Sequence, residues 1–218
     1  KATKIYKKRI LHTTGIPEST LFEKLGTIEE LEKRVKIAFL PTYSGVNVRL
    51  SVQGKDEATC QERIDIVENV FREKFSDYVW GIDDDTIEKV VANLLINRGV
   101  SISITEYGTN GNITAQLASV PEVEKFLNQG LTIGSVDMLK KIIELPASQS
   151  NLSEVINQNN CEALSRTIKQ NSGADISLAI MHNDNLDVTT HIAYCDQHGV
   201  KSQRYIFTFH PSMNFQRI

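Results

Sequence analysis

The stretch from Val100 to Leu117 constrains the fold more than any other part of the chain. Val100-Ser101-Ile102-Ser103-Ile104 alternates apolar and polar residues, which is the period of a strand. Residues 105–112, Thr-Glu-Tyr-Gly-Thr-Asn-Gly-Asn, are polar and contain two glycines, and they read as a tight turn. Ile113 to Leu117 then begins a helix. A strand that runs through a short polar turn into a helix is the repeating unit of α/β domains. Its turn is a usual place for chemistry, because the first N–H groups of the helix have no partner inside it and stabilise negative charge.

The rest of the chain divides around Ile82. Residues 1–82 read as a small α+β domain. A strand over 5–14 leads to Gly15, and Pro17-Glu18-Ser19 opens a helix with Leu21, Phe22 and Leu25 on its apolar face and Gly26 at its end. A short acidic helix over 28–34 precedes two strands, 35–40 and 46–53, linked by Pro41-Thr42-Tyr43-Ser44-Gly45. Lys55–Phe75 is an amphipathic helix, with Cys60, Ile64, Val67, Phe71 and Phe75 spaced three and four apart. Tyr78–Gly81 is a short strand.

Residues 83–218 read as an α/β domain with a mixed sheet. Asp83-Asp84-Asp85 precedes a helix whose apolar positions are Ile87, Val90, Val91, Leu94 and Leu95. Three adjacent carboxylates invite a metal reading, yet capping of the helix start accounts for them without one. After the turn come a strand at 130–133, a helix at 135–143, one long helix at 151–171, and strands at 176–181, 188–195 and 203–209.

The net charge of -3 speaks against a nucleic-acid or anionic-membrane surface. No apolar run approaches the roughly 20 residues of a membrane-spanning helix. Cys60, Cys161 and Cys195 are far apart, which excludes a zinc ribbon or a disulfide framework and suits a reducing cytoplasm. His182, His191, His198 and His210 match no standard metal-ligand spacing and read as strand or surface histidines.

The order of these segments resembles the competence/damage-inducible protein family CinA. His12-Thr13-Thr14-Gly15-Ile16-Pro17-Glu18-Ser19 resembles the opening of that family's middle, KH-like domain. Ile37–Pro41 with Val46–Leu50 resembles its strand pair, and Tyr78–Gly81 with Asp83–Thr86 its junction into the C-terminal domain. A working KH module clamps nucleotides with a Gly-x-x-Gly loop, and residues 1–82 contain none, so nucleic acid is not expected as a partner. The resemblance implies a nicotinamide mononucleotide amidohydrolase-type domain over 83–218, a pyridine nucleotide as ligand, a homodimer, and no cofactor or metal. It also implies a longer protein: an N-terminal molybdopterin-binding-like domain before Lys1, as a further partner, and a last helix after Ile218.

The resemblance also marks what is changed. The family's turn reads Glu-Ser-Cys-Thr-Gly-Gly; here Glu106, Thr109 and Gly111 keep their places. Tyr107 replaces the serine nucleophile, Gly108 the cysteine and Asn110 the first glycine. The family's downstream Tyr-Ser-Asn-x-x-Lys falls on Gly134, Ser135, Val136 and Leu139. Lys140 comes one residue late, about 100° around a helix, and reads as a solvated charge beside Lys141. A glycine-rich loop falls on Met181–Asp187, which has no glycine, and only Arg217 survives from an arginine segment near the end. The expectation is a pseudoenzyme: ligand residues Glu106, Tyr107, Gly108, Thr109, Asn110, Gly111 and Arg217 without intact catalysis. The alternative is an active amidase with Thr109 or Ser135 as nucleophile and Lys140 as base. Thr109 and Glu106 are equally explained by the needs of a helix start.

Overall fold

The computed structural model describes residues 4–26, 28–42, 45–146, 148–149, 151–183 and 189–206. The chain forms two compact units, Lys1–Val90 and Val91–Ile218.

In the first unit, strands β1 (Ile5–Thr13), β2 (Lys36–Pro41), β3 (Val46–Gly54) and β4 (Val79–Ile82) form an antiparallel sheet in the order β2-β3-β1-β4. Helices α1 (Glu18–Leu25), α2 (Ile28–Glu32) and α3 (Glu57–Lys74) accompany it. Pro17 and Gly26 bound α1 as the sequence suggests, but Phe22 is 55% exposed and edges onto Phe39 instead of entering the core. Asp56 starts α3 by accepting the Thr59 N–H at 2.8 Å. Cys60, Ile64, Val67, Phe71 and Phe75 are all buried against Leu11, Val48 and Leu50 of the sheet.

Two carboxylates of the acidic triplet, Asp83 and Asp85, do something other than cap the next helix. Asp83 Oδ1 accepts the Ile10 N–H and Asp85 Oδ2 accepts the Ile82 N–H, each at 2.8 Å, so these carboxylates finish strand ends. Helix α4 (Ile87–Arg98) follows, with Ala92 and Leu95 buried and Leu94 48% exposed.

The second unit is built on a mixed sheet. Its strands are β5 (Ile102–Tyr107), β6 (Leu127–Ile133), β7 (Ile176–Asn183), β8 (Thr189–Asp196) and β9 (Gly199–Ile206). The order is β6-β5-β7-β8-β9, with β5 parallel to both neighbours and β8 and β9 antiparallel. Helix α5 (Asn112–Ala118) joins β5 to β6; helices α6 (Val136–Ile142), α7 (Leu152–Val155) and α8 (Gln158–Ser172) join β6 to β7. The expected single helix over 151–171 is two, because the Asn157 side chain accepts the Asn160 N–H and starts α8 afresh.

The connections leave β5 and β6 on opposite faces. Ile113 and Leu117 of α5 pack with Ile104 and Ile180, whereas Leu139, Val155 and Leu164 of α6–α8 pack with Ile133, Ala179 and Met181. Parallel strands whose connections diverge in this way leave a crevice at their carboxyl ends, where ligands of such sheets bind. No helix among the described residues is long and apolar enough to cross a membrane.

Candidate functional site

A cleft of about 360 Å³ opens at that crevice. Tyr107, Gly108 and Asn110 come from the end of β5 and its turn, and Thr132, Ile133 and Gly134 from the end of β6. Leu152 and Ile156 come from α7 and the residue after it, and His182 and Asn183 from the end of β7. The strand reaches further than the sequence suggests. Glu106 and Tyr107 pair with Thr132 and Ile133 on one side and with Ile180 and Met181 on the other, so the turn starts at Gly108.

Glu106 organises the turn from beneath. Its carboxylate is fully buried and accepts four hydrogen bonds. Thr109 Oγ1 donates at 2.6 Å and the Ile113 N–H at 3.2 Å, while Thr114 donates through its N–H at 2.7 Å and its hydroxyl at 2.6 Å. The positive end of α5 is therefore complemented from inside the protein. The Asn112 N–H is also taken, by the Thr109 carbonyl at 3.1 Å.

The candidate nucleophiles and base do not converge. Thr109 is buried, gives its hydroxyl to Glu106, and is not among the cleft-lining residues. Ser135 starts α6 by accepting the Met138 N–H at 3.2 Å. Lys140 is not the solvated charge the sequence suggests: its side chain is 12% exposed, and its ammonium lies 3.9 Å from Asp137, away from the cleft lining. Tyr107 does line the cleft, and burial raises its phenol above the ordinary value near 10. Gly111 belongs to the turn but not to the cleft wall. Arg217, His210 and the loop over 184–187 lie outside the described residues.

These features can be set beside known proteins. Residues 84–212 match the CinA C-terminal domain, and residues 8–81 match the KH domain of the damage-inducible protein CinA. The chain belongs to the CinA family. Among its relatives is a CinA-like protein of Thermosipho melanesiensis, 36% identical over 146 residues, which cover 66% of this chain and 34% of that protein. Another, from Salinibacter ruber, is 38% identical over 115 residues, covering 52% of this chain and 28% of that protein. The chain thus spans about a third of the length of curated CinA relatives such as the first. CinA superfamily structures from Enterobacter cloacae and Escherichia coli share the fold. Their TM-scores are both 0.54 at 18% and 16% identity, each covering 62% of this chain and 88% and 86% of theirs.

Part of this CinA site was not anticipated from sequence. Thr132, Ile133, His182 and Asn183 line the cleft because parallel pairing brings three strand ends together, and Leu152 and Ile156 join them from α7 and the residue after it. His182 Nδ1 lies 2.8 Å from Thr190 Oγ1, which fixes the ring at the cleft wall. Cys161 is no hidden nucleophile, since burial pushes its thiol up to about 12.

His191, opposite Met181 in the sheet, is buried with its Nδ1 unpaired, and burial first and Arg204 second lower its pKa from 6.5. The neutral ring is what the fold accepts. The unfolded chain binds the proton at a higher pH, so stability contributed by His191 is present above about pH 6.5 and lost as pH falls through the lower folded value. The expected result is a C-terminal unit whose urea midpoint drops between pH 7 and pH 5. In His191→Gln that part of the drop disappears.

Proposed function

We propose that the C-terminal unit of this CinA-family chain is a ligand-binding pseudoenzyme, retaining the cleft for a pyridine nucleotide or a relative of one and carrying out no amide hydrolysis there. The observation that carries this reading is the double occupation of Glu106. Hydroxyl-based amide hydrolysis needs a nucleophile facing the substrate, a base to take its proton, and free donors for the oxyanion. Glu106 holds the Thr109 hydroxyl inward and takes the Ile113 and Thr114 N–H groups of the adjoining helix.

The 2.6 Å contact between Thr109 and Glu106 is the one feature that favours the rival, a relocated nucleophile on a carboxylate base. Against it, three further donors already share that carboxylate, and the hydroxyl does not line the cleft. The unit also serves assembly in this reading, with a second copy of the chain as partner; β9 stands at one edge of the sheet and leaves Ile206 58% exposed.

The test is ammonia release from nicotinamide mononucleotide, run beside an active amidase as control. The expected rate equals that of buffer, and Thr109→Val and Ser135→Ala leave it unchanged. Release above background that vanishes in Thr109→Val sinks the proposal in favour of the relocated nucleophile.

A further inference from the structure

The sheet of the first unit sorts its cations by face. Side chains alternate along a strand, so Lys7, Arg9 and Leu11 of β1 share the face packed against α3, and Lys8, Ile10 and His12 share the other. Pairing sets Lys8 and Lys36 on either side of Ser51, and Ile10 and Ala38 on either side of Arg49. A third row holds His12, Asn47 and Leu40, with Trp80 stacked on His12 at a ring separation of 4.9 Å. On the helix-covered face the cations are matched: Lys7 lies 3.0 Å from Glu57, and Arg9 lies 3.5 Å from Glu68 and 3.3 Å from Asp83. On the open face the side chains of Lys8, Lys36 and Arg49 have no ion pair or hydrogen bond among the described residues. The two lysines are exposed; Arg49 is half-buried, and its buried Nε finds no acceptor. Segments 8–12, 36–40 and 47–51 contain no Asp or Glu, and neither do residues 1–3, 27, 43 and 44, which lie outside the described set.

We propose that this open face docks an extended acidic segment of a second polypeptide, in which two carboxylates two residues apart are followed, two residues further on, by an apolar side chain. The rows of the face stand about 7 Å apart, which is also the spacing of side chains i and i+2 on an extended chain. The first carboxylate meets Lys8 and Lys36. The second meets the Arg49 guanidinium, whose planar fork donates two parallel hydrogen bonds to a carboxylate. The apolar residue meets Leu40 and Trp80. All three cations are available to such a segment, because no internal pair has to be broken first. A polynucleotide fits less well. A long phosphodiester chain runs past the face into the field of a protein with a net charge of -3, whereas a segment of about five residues meets only the three cations. The inference stands apart from the reading of the cleft in the second unit.

The probe is the end-capped peptide Glu-Thr-Glu-Thr-Leu, titrated into the whole chain at pH 7. Trp80, the only tryptophan, belongs to the face and reports binding through its emission. At an ionic strength of about 0.01 M the emission change is expected to saturate, and at about 0.15 M the affinity is expected to fall several-fold. The uncharged Gln-Thr-Gln-Thr-Leu is expected to bind at least ~10-fold more weakly, and Arg49→Gln to weaken the acidic peptide ~10-fold. Arg49→Lys keeps the charge without the fork and is expected to recover part of that loss. Lys7→Gln, on the helix-covered face, is expected to leave the affinity within about 2-fold. Equal binding of the two peptides overturns the inference, and so does the lack of a saturable response at the lower ionic strength. Tighter binding of a thymidine pentanucleotide overturns it in favour of nucleic acid. A dimer in sedimentation velocity that Arg49→Gln dissolves overturns it in favour of a second copy of this chain.

Discussion

Glu106→Ala is expected to destabilise the C-terminal unit by about 3–5 kcal/mol. The substitution leaves two backbone N–H groups and two hydroxyls without their acceptor, a carboxylate that is itself fully buried. Each such loss costs about 1–3 kcal/mol; the hydroxyls of Thr109 and Thr114 can rotate to other acceptors, so the total falls below the simple sum. The start of α5 loses its complementary charge as well, worth about 1 kcal/mol. Glu106→Gln is the sharper variant because it keeps the shape. One amide oxygen can still accept, but the NH₂ group is turned on donors, so about 2–4 kcal/mol should go.

The only tryptophan, Trp80, belongs to the first unit and would report on the wrong part of the chain. Hydrogen exchange of the Ile104, Ile113 and Thr114 amides reads the right part. Faster exchange at all three is expected, with Ile113 and Thr114 affected first. A loss under about 0.5 kcal/mol in both variants would mean that water or a rearranged turn satisfies those donors, and a turn so adaptable could still hold an oxyanion.

Local patterns in the chain mark most elements because most of them announce their ends. Pro17 and Gly26 bound α1, and Asp56 starts α3. Where the reading fails, a physical reason is visible. Residues 102–106 of β5 are all buried, so polarity does not alternate with exposure and Glu106 reads as a turn residue. Strands β6 and β9 stand at the sheet edges and begin with exposed polar residues such as Asn128 and Lys201, so their starts read as loop. The apolar period carries through Val155 and Ile156 into α8, and it outweighs the capping signal of Asn157.

The turn within the site was legible because it is contiguous. The opposite wall was not: His182 joins Tyr107 through a pairing that spans the whole β6–α8 crossover. Local periodicity carries no information about that pairing. Nor does it show that Thr109 faces inward, since the same residue type at the same position serves a nucleophile or a structural hydrogen bond equally well.

Gly108 shows why a larger residue is not expected to fit at its place in the turn. Its φ is +81°, and a Cβ there would lie 2.3 Å from the backbone carbonyl oxygen of His182 and 3.0 Å from its carbon. The obstacle is backbone of β7, held in register by both β5 and β8, so it cannot swing away as a flexible side chain would. Gly108→Ala is expected to cost about 2–4 kcal/mol, combining left-handed backbone strain of about 1–2 kcal/mol with displacement of the strand end. Gly134 provides the control in the same cleft: a Cβ there would meet nothing within 4 Å, and its φ is not strained. Gly134→Ala should therefore stay within about 0.5 kcal/mol. The Tyr107→Ser, Gly108→Cys double variant restores the family's serine and cysteine in name. It should nonetheless unfold at lower urea concentration than the unaltered chain and release no ammonia from nicotinamide mononucleotide, because the new serine has no amine base among the described residues of the cleft lining and the new cysteine forces the His182 carbonyl aside. Amidase activity in that variant beyond that of the unaltered chain would show that the cleft adjusts around β7 and that a serine at position 107 is enough for hydrolysis, against the proposed reading.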